Sequence, residues 1–406
     1  MKTVIVIGGG ASGLVAALTA AQNKENRVLL LERQQRLGRK LLATGNGRCN
    51  LTNTAASPAH YHGEDPSFVA EALARFTPAD TLAFFRSLGL LTVEEYGGRI
   101  YPLSDSANSV LDVLRFAVER AGVEVHAPCC VTGVKRTGRA GFAVNCENDE
   151  RFSCDALIVA CGGAAGGKLG GVKDGYELLG SLGHKRTKLY PALVQLVTAT
   201  DYPRALKGVR ADAAVTLRRG KETLARSAGE VQFTDSGVSG PAVFDVSRAA
   251  ATCGGEGIEI AFDFFRGRDS GELTDMLRAR RAALPNLEAG DLLTGMLHNR
   301  LGKMLVKAAG FHGSVPLSAL NDRALSSVLD VCRDFTLPVR GTAGFDSAQV
   351  TAGGVSTAQF DRRTMQSRLV PGLYACGEVL DIDGDCGGFN LQWAWSSGAA
   401  AGRLET

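Results

Sequence analysis

Apolar residues recur along this chain with two periods, and the alternation between them predicts its architecture. Residues 3–7 are a short β-branched run, residues 14–22 carry small apolar side chains at helical spacing, and residues 28–31 form a second apolar run. Helical spacing returns over 67–90 and 107–121, short strands are expected at 123–125, 131–134 and 142–146, and 155–163 reads as a buried strand ending in a glycine turn. Such alternation predicts a mostly parallel sheet covered on both faces. From about residue 190 the texture changes. Runs at 193–197, 213–217, 230–233 and 258–264, separated by turns, predict a small antiparallel sheet or barrel. Residues 269–334 then read as helical, with Leu273, Met276 and Leu277, and again Leu292, Leu293, Met296 and Leu297, at i, i+3, i+4 spacings. A strand at 335–340 returns to the antiparallel body, and 372–378 is a buried strand and glycine turn before a last helix near 391–404. The expectation is an α/β domain built from 1–189 and 346–406. It is interrupted by an inserted, barrel-like antiparallel β domain at 190–268 and 335–345 and by a helical subdomain at 269–334.

Bulk properties narrow this picture without redirecting it. At 406 residues the chain calls for two or three domains. Forty-five Lys and Arg against 42 Asp and Glu leave +3, too balanced to argue for nucleic acid or an anionic membrane as main partner. No uninterrupted apolar run reaches the length of a membrane span. The ten cysteines form no C-x-x-C pair and no histidine cluster accompanies them, so no metal site is expected. Scattered free thiols suit a reducing cytoplasm, the location expected. The histidines (60, 62, 126, 184, 298 and 312) occupy no catalytic spacing, and structural or surface roles are expected for all six. G-x-S-x-G, P-loop and H-E-x-x-H patterns are missing, which removes the usual hydrolase and kinase readings.

The first 32 residues carry the most specific chemistry. Strand, Gly8-Gly9-Gly10-Ala11-Ser12-Gly13, helix, strand and Glu32 follow in the order of a dinucleotide-binding unit. Gly8 permits the tight turn, Gly10 lets the backbone approach a pyrophosphate, and Gly13 with Ala17 lets helix and sheet pack closely. The pyrophosphate would sit on the free N–H groups that open the helix. Glu32 would accept hydrogen bonds from a ribose diol and disfavour a 2′-phosphate.

The second signal lies near the other end. Gly377-Glu378 ends a strand, placing a carboxylate at the edge where ligands of open parallel sheets bind. The segment 384–392 opens the last helix, whose unpaired N–H groups would face electron-rich oxygen, or it is a plain helix start after a flexible loop. Gly353-Gly354-Val355 either lets backbone approach something flat or marks a strand bulge. Residues 45–50 offer amide groups suited to a heterocycle edge, or form an ordered surface loop; the 38–50 stretch is too rich in glycine and asparagine for a helix. Arg39 and Lys40 are phosphate neighbours or merely solvated, and residues 98–104, with Arg99, Tyr101 and Ser104, are a polar–aromatic loop lining a substrate pocket or a plain surface turn around Pro102.

These motifs together resemble the BaiN-like (YhiN-like) FAD-dependent oxidoreductases, also called the aminoacetone oxidase family. The resemblance rests on Gly8-x-Gly10-x-x-Gly13 with Glu32, on residues 38–53, on 350–355, and on 371–381 with 387–398; the middle matches only in length and texture. It implies FAD in a Rossmann-type domain of the glutathione-reductase class, interrupted by the barrel-like and helical modules. Carried over by position, Gly8, Gly10, Ala11, Ser12 and Gly13 would hold the pyrophosphate, and Glu32, with Arg33 beside it, the adenosine ribose. Lys40, Thr44, Gly45 and Cys49 would lie along the cofactor. Val131 would pair with adenine through its backbone, with Ala160 and Gly162 packed nearby. Gly377 and Glu378 would meet the ribityl–phosphate portion, and Gly388, Asn390 and Leu391 the isoalloxazine edge. Only one G-x-G-x-x-G is present, so NAD(P)H would act as a transient co-substrate without a second dinucleotide domain.

The resulting expectation is an enzyme that transfers hydride through flavin N5, an NAD(P)H-linked reductase of a small organic substrate, with no catalytic acid or base singled out. The alternatives are an amine or aminoketone oxidase using oxygen, a tRNA-modifying flavoprotein, and a non-catalytic redox sensor. The RNA reading would need a basic patch within 204–226, which holds Arg204, Lys207, Arg210, Arg218, Arg219, Lys221 and Arg226. Near-neutral charge counts against it.

Overall fold

The computed structural model describes residues 1–138, 141–147, 149–199, 201–254 and 256–405. Contacts divide the chain into two compact units, Met1–Pro191 with Phe345–Thr406, and Ala192–Gly344. The first is built on a five-stranded parallel sheet in the order Leu373–Ala375, Ala156–Val159, Lys2–Ile7, Asn26–Leu31, Glu124–His126. Its central strands are apolar on both faces because both are covered: Val4, Ile5, Val6, Leu30 and Ile158 are fully buried. The Ala11–Ala20 helix packs against the C-terminal helix, Phe389–Gly402. That approach is possible because small residues face it. A Cβ on Gly398 would lie 2.4 Å from Ser12 O, and one on Gly402 2.4 Å from Ala16 O.

Two smaller sheets flank the parallel one. Residues Val131–Arg136, Phe142–Cys146 and Arg151–Cys154 form an antiparallel meander; Thr52–Asn53 and Thr92–Glu95 pair with Arg99–Pro102. The polar–aromatic segment around Tyr101 is therefore a strand, not a loop, with Ile100 in the apolar core and the Tyr101 ring under the Arg48 guanidinium. Further on, Tyr61–His62 pairs antiparallel with Asp383–Gly384.

The second unit holds a closed six-stranded barrel of Leu196–Thr198, Gly237–Ser239, Glu222–Phe233, Arg210–Arg219, Ile258–Asp263 and Phe335–Thr342. The helices Ser270–Ala283, Asn299–Ala308 and Asp322–Arg333 share one apolar core with it.

Three local expectations are corrected. Pro241–Cys253 is a 13-residue helix where only strands and turns were expected; Gly240 (φ 104°) and Pro241 in its first turn are the start signals. Leu292, Leu293 and Met296 keep their helical spacing but sit in turns, and Leu297 in an isolated bridge with Thr294; Gly295 (φ 82°) breaks the run between Leu293 and Met296. Arg39–Ala43 is a short helix, entered through Gly38 in the left-handed region and anchored by buried Leu41. Among the described residues no helix is long and apolar enough to cross a membrane.

Candidate functional site

The glycine turn after the first strand has the geometry its sequence suggests. Gly8 (φ 105°) turns the chain, and a Cβ there would lie 2.5 Å from Ala160 O. One on Gly13 would fall 1.8 Å from Gly8 O, so helix and strand can meet only through glycine. At Gly10 the added atom would meet nothing within 4 Å. Open space there faces the start of the Ala11–Ala20 helix, which has no side-chain cap, so the backbone N–H groups around Ala11 and Ser12 are left for an anion.

Glu32 is buried, and both carboxylate oxygens are held: Oε2 accepts from Gly9 N–H at 2.7 Å and Oε1 from Gln34 N–H at 2.7 Å. Each oxygen keeps a lone pair, so the carboxylate is fixed in orientation yet still able to accept from a diol. Its neighbour Arg33 is ion-paired with Asp174 at 2.8 Å. Val131 opens the meander two residues after Cys129, whose N–H donates to Glu32 O at 2.7 Å. Ala160 follows the Ala156–Val159 strand and donates to Ile7 O, and Gly162 (φ 72°) turns the chain beside it.

The other end of the chain returns to the same sheet edge. Gly377 (φ 75°) lies so near the first helix that a Cβ would be 2.5 Å from Ser12 Oγ; its N–H donates to Ser397 Oγ and its carbonyl accepts from Trp393 Nε1. Glu378 pairs with Lys40 Nζ at 2.7 Å and accepts from Thr351 N–H at 2.9 Å, joining residues 338 positions apart. Thr44 Oγ1 donates to Leu41 O, and Gly45 (φ 57°) is pressed against Asn50. Cys49 is fully buried, and burial pushes its thiol up to about 12 against a smaller opposing bond to Thr44, so it stays a neutral thiol. A Cβ on Gly353 would lie 2.2 Å from Lys188 O and one on Gly354 2.5 Å from the Leu380 carbonyl carbon, so both glycines lie against protein backbone and the flat partner is the chain itself.

Gly388 (φ 100°) opens the last helix, and its missing Cβ makes room for Thr52 O and Asn50 Oδ1. The Asn390 side chain is fully engaged with the preceding loop, donating to Gly384 O and accepting from Gly384 N–H at 2.8 Å each. What Asn390 and Leu391 offer outward is backbone N–H from an unclosed first turn. Asn50 Oδ1 faces this opening, buried and without a hydrogen-bond partner among the described residues. A buried unpaired acceptor beside unpaired donors is costly unless a ligand supplies the complement. The pyrimidine edge of a flavin, a ring N–H between two carbonyl oxygens, is such a complement.

Structural or surface roles are expected from sequence for all six histidines, yet two of them meet on one carboxylate here. Asp385 Oδ2 contacts His60 Nδ1 at 3.0 Å and Oδ1 contacts His62 Nε2 at 2.7 Å. Burial works to raise the Asp385 carboxyl, but the His62 and His60 rings outweigh it and hold it below the usual carboxylate range. His60 stacks on Phe389, the first residue of the last helix, at 4.3 Å. The loop between is pinned by Asp385 N–H to His60 O and by Asn53 Nδ2 to Gly387 O. The only local hint was the His-x-His spacing; the carboxylate lies 325 and 323 positions away. Among the described residues no group of three or more His, Cys, Asp or Glu could hold a metal ion.

Comparison with known proteins bears on the same regions. The family model described as HI0933-like protein Rossmann domain matches residues 2–404. The chain is 40% identical to the 3-dehydro-bile acid delta(4,6)-reductase of Clostridium scindens over 99% of its length and 98% of that protein. It is 33% identical to the ribosomal RNA dihydrouridine synthase of Escherichia coli over 97% of its length and 95% of that protein. Among solved structures, the 3-ketosteroid delta1-dehydrogenase of Sterolibacterium denitrificans shares the fold, with a TM-score of 0.51, 13% identity and 99% of each chain covered.

Proposed function

Because the chain belongs to the HI0933-like family of flavoproteins and is an FAD-dependent oxidoreductase, we propose that it reduces a carbon–carbon double bond conjugated to a carbonyl. The reductant is NAD(P)H and the substrate a small organic molecule. FAD supplies the two-electron hydride step between them.

The chain's own residues bind and orient. Gly8, Gly10, Ala11, Ser12 and Gly13 hold the pyrophosphate through backbone, Glu32 the ribose, with Arg33 at its rim. Val131, Ala160 and Gly162 border the adenine. Lys40, Thr44, Gly45 and Cys49 run along the cofactor, and Gly377 with Glu378 meets its ribityl–phosphate portion. Gly388, Asn390 and Leu391 present N–H groups to the ring edge, and Asn50 supplies the matching acceptor. The observation that carries this reading is the unpartnered Asn50 Oδ1 beside the open helix start, in the same compact unit as the glycine turn.

The choice of substrate class rests on what two relatives have in common. A 3-dehydro-bile acid delta(4,6)-reductase and a dihydrouridine synthase, read by the chemistry of their names, both saturate a double bond conjugated to a ring carbonyl. Support for a small substrate over RNA comes from the basic run in 204–226, where four of the seven cations are ion-paired. Arg204, Lys207, Arg210 and Arg218 pair with Asp201, Asp235, Glu230 and Asp334, and Arg219 bonds the carbonyls of Cys253 and Gly254.

The test is anaerobic spectroscopy of the FAD-loaded protein. NADH or NADPH is expected to bleach the flavin, and a cyclic enone to restore its colour. Bleaching by amines in place of NAD(P)H would favour the oxidase reading, and reoxidation only by uridine-containing ribosomal RNA would favour the RNA reading. A flavin that no donor bleaches would leave a redox sensor.

A further inference from the structure

Saturating a conjugated double bond requires a proton as well as a hydride, and one cluster beside the proposed ring site is built to deliver it. We propose that His60 and His62, bridged by Asp385, are the proton donor for the α-carbon of the substrate. This assignment rests on the enone-reductase reading above.

The geometry favours proton delivery over a purely structural role in three ways. First, the cluster is open: the side chains of His60, His62 and Asp385 are 35%, 38% and 33% exposed, so water can recharge it. Second, it is fixed to the opening of the last helix. His60 lies flat on Phe389, Tyr61 Oη donates to Phe389 O, and Asp385 N–H donates to His60 O. Third, each ring gives one nitrogen to the carboxylate, Nδ1 of His60 and Nε2 of His62, which leaves Nε2 of His60 and Nδ1 of His62 as the nitrogens not engaged by Asp385. Imidazole is the side chain that exchanges a proton near neutral pH, and a carboxylate on its far nitrogen fixes tautomer and ring orientation.

Asp381, Glu64, Asp383, Arg99 and Cys386 are the other titratable side chains around the cluster. Asp381 Oδ2 accepts from Glu64 N–H, and Glu64 Oε2 is with Ser356 Oγ. Asp383 faces His62 in backbone register, and Arg99 lies beyond Gly387. Cys386 follows Asp385 in the same loop.

The step balances. Hydride adds to the β-carbon, and the π electrons move onto the carbonyl oxygen. The ring N–H bond then breaks as the C–H bond at the α-carbon forms. Water reprotonates the neutral ring, so each turnover consumes one NAD(P)H and one proton.

The test compares wild type, the double variant H60Q/H62Q and D385N, each loaded with FAD and matched for visible spectrum and FAD affinity. Each is reduced anaerobically with NADH or NADPH, then mixed in D₂O with cyclohex-2-enone, with a 4-en-3-one steroid, or with ferricyanide, which takes electrons and needs no carbon protonated. Enone reoxidation is expected to fall about 10²- to 10⁴-fold in H60Q/H62Q and less in D385N, with ferricyanide reoxidation unchanged. Deuterium at the α-carbon is expected on one face with wild type and on both faces with the double variant. Equal enone rates and unchanged labelling in H60Q/H62Q would overturn the assignment, as would parallel losses with enone and ferricyanide. A wild-type flavin that ferricyanide reoxidises and no enone does would remove the reductase reading itself, and this assignment with it.

Discussion

Replacing Gly398 by alanine sets two physical effects against each other at the contact between the two ends of the chain. Gly398 lies inside the Phe389–Gly402 helix, where glycine is a poor helix former, and alanine alone would gain up to about 1 kcal/mol. The new Cβ, however, would stand 2.4 Å from Ser12 O, about 1.0 Å closer than the 3.4 Å at which ordinary contact begins. The helix cannot retreat, because Trp393, Ser396, Ser397 and Ala399 on its other faces are also buried. Overpacking of this kind costs about 1–3 kcal/mol, so the clash wins and the variant is expected to lose about 1–2 kcal/mol net. Gly180→Ala is the control: its helix Asp174–Ser181 leaves nothing within 4 Å of the added atom, so only the propensity gain of up to about 1 kcal/mol remains. Urea midpoints of the FAD-free proteins measure both. Because Ser12 belongs to the glycine turn, FAD affinity of Gly398→Ala is expected to fall about tenfold, read by flavin fluorescence. Equal stabilisation by both substitutions, with unchanged FAD affinity, would refute the close packing of head and tail helices.

Other outcomes follow from single groups. Glu32→Gln keeps the size but cannot accept at both oxygens; with charge-assisted bonds worth about 1.5–3 kcal/mol, FAD affinity is expected to drop about 10- to 100-fold, measured by titration. Asn50→Leu removes a buried acceptor that has no partner in the protein, so thermal unfolding of the FAD-free protein is expected at equal or higher temperature while FAD binds several-fold more weakly. The opposite pattern would remove Asn50 from the site. His184 is pushed below its ordinary 6.5 by burial, against a smaller effect of its bond to Leu179 O. The unfolded chain therefore binds a proton that the native state refuses, so stability is expected to fall as pH drops below about 6.5 until the native ring also protonates. His184→Asn should flatten that part of the urea-midpoint profile. Iodoacetamide at mildly alkaline pH should leave Cys49 unmodified in the folded protein, since burial keeps its thiol near 12; peptide mass spectrometry gives the answer.

What the sequence made legible was whatever is decided locally. The β-branched run at the start, the glycines at 8, 10 and 13 and the acid at 32 constrain one another over a few turns of chain, and the structure keeps their spacing. The buried strand at Leu373–Ala375 was legible for the same reason. Helical spacing misled where glycine could break it, as at Gly295. It was overlooked where Pro241 opens a helix between barrel strands. The polar pairings of the site were out of reach. Lys40 with Glu378, and His60 and His62 with Asp385, join segments more than 300 positions apart. No local pattern announces that Asn50 keeps an unpaired oxygen beside Gly388; that follows from packing alone.

The central claim is that one FAD is gripped at once by the head and the tail of the chain. Amide hydrogen exchange of the protein with and without FAD tests it directly. The account predicts that adding FAD slows exchange together at residues 9–13, at 45–50 and at 389–391, with one shared concentration dependence. Protection confined to one of these segments, or none at all at saturating FAD, would contradict it.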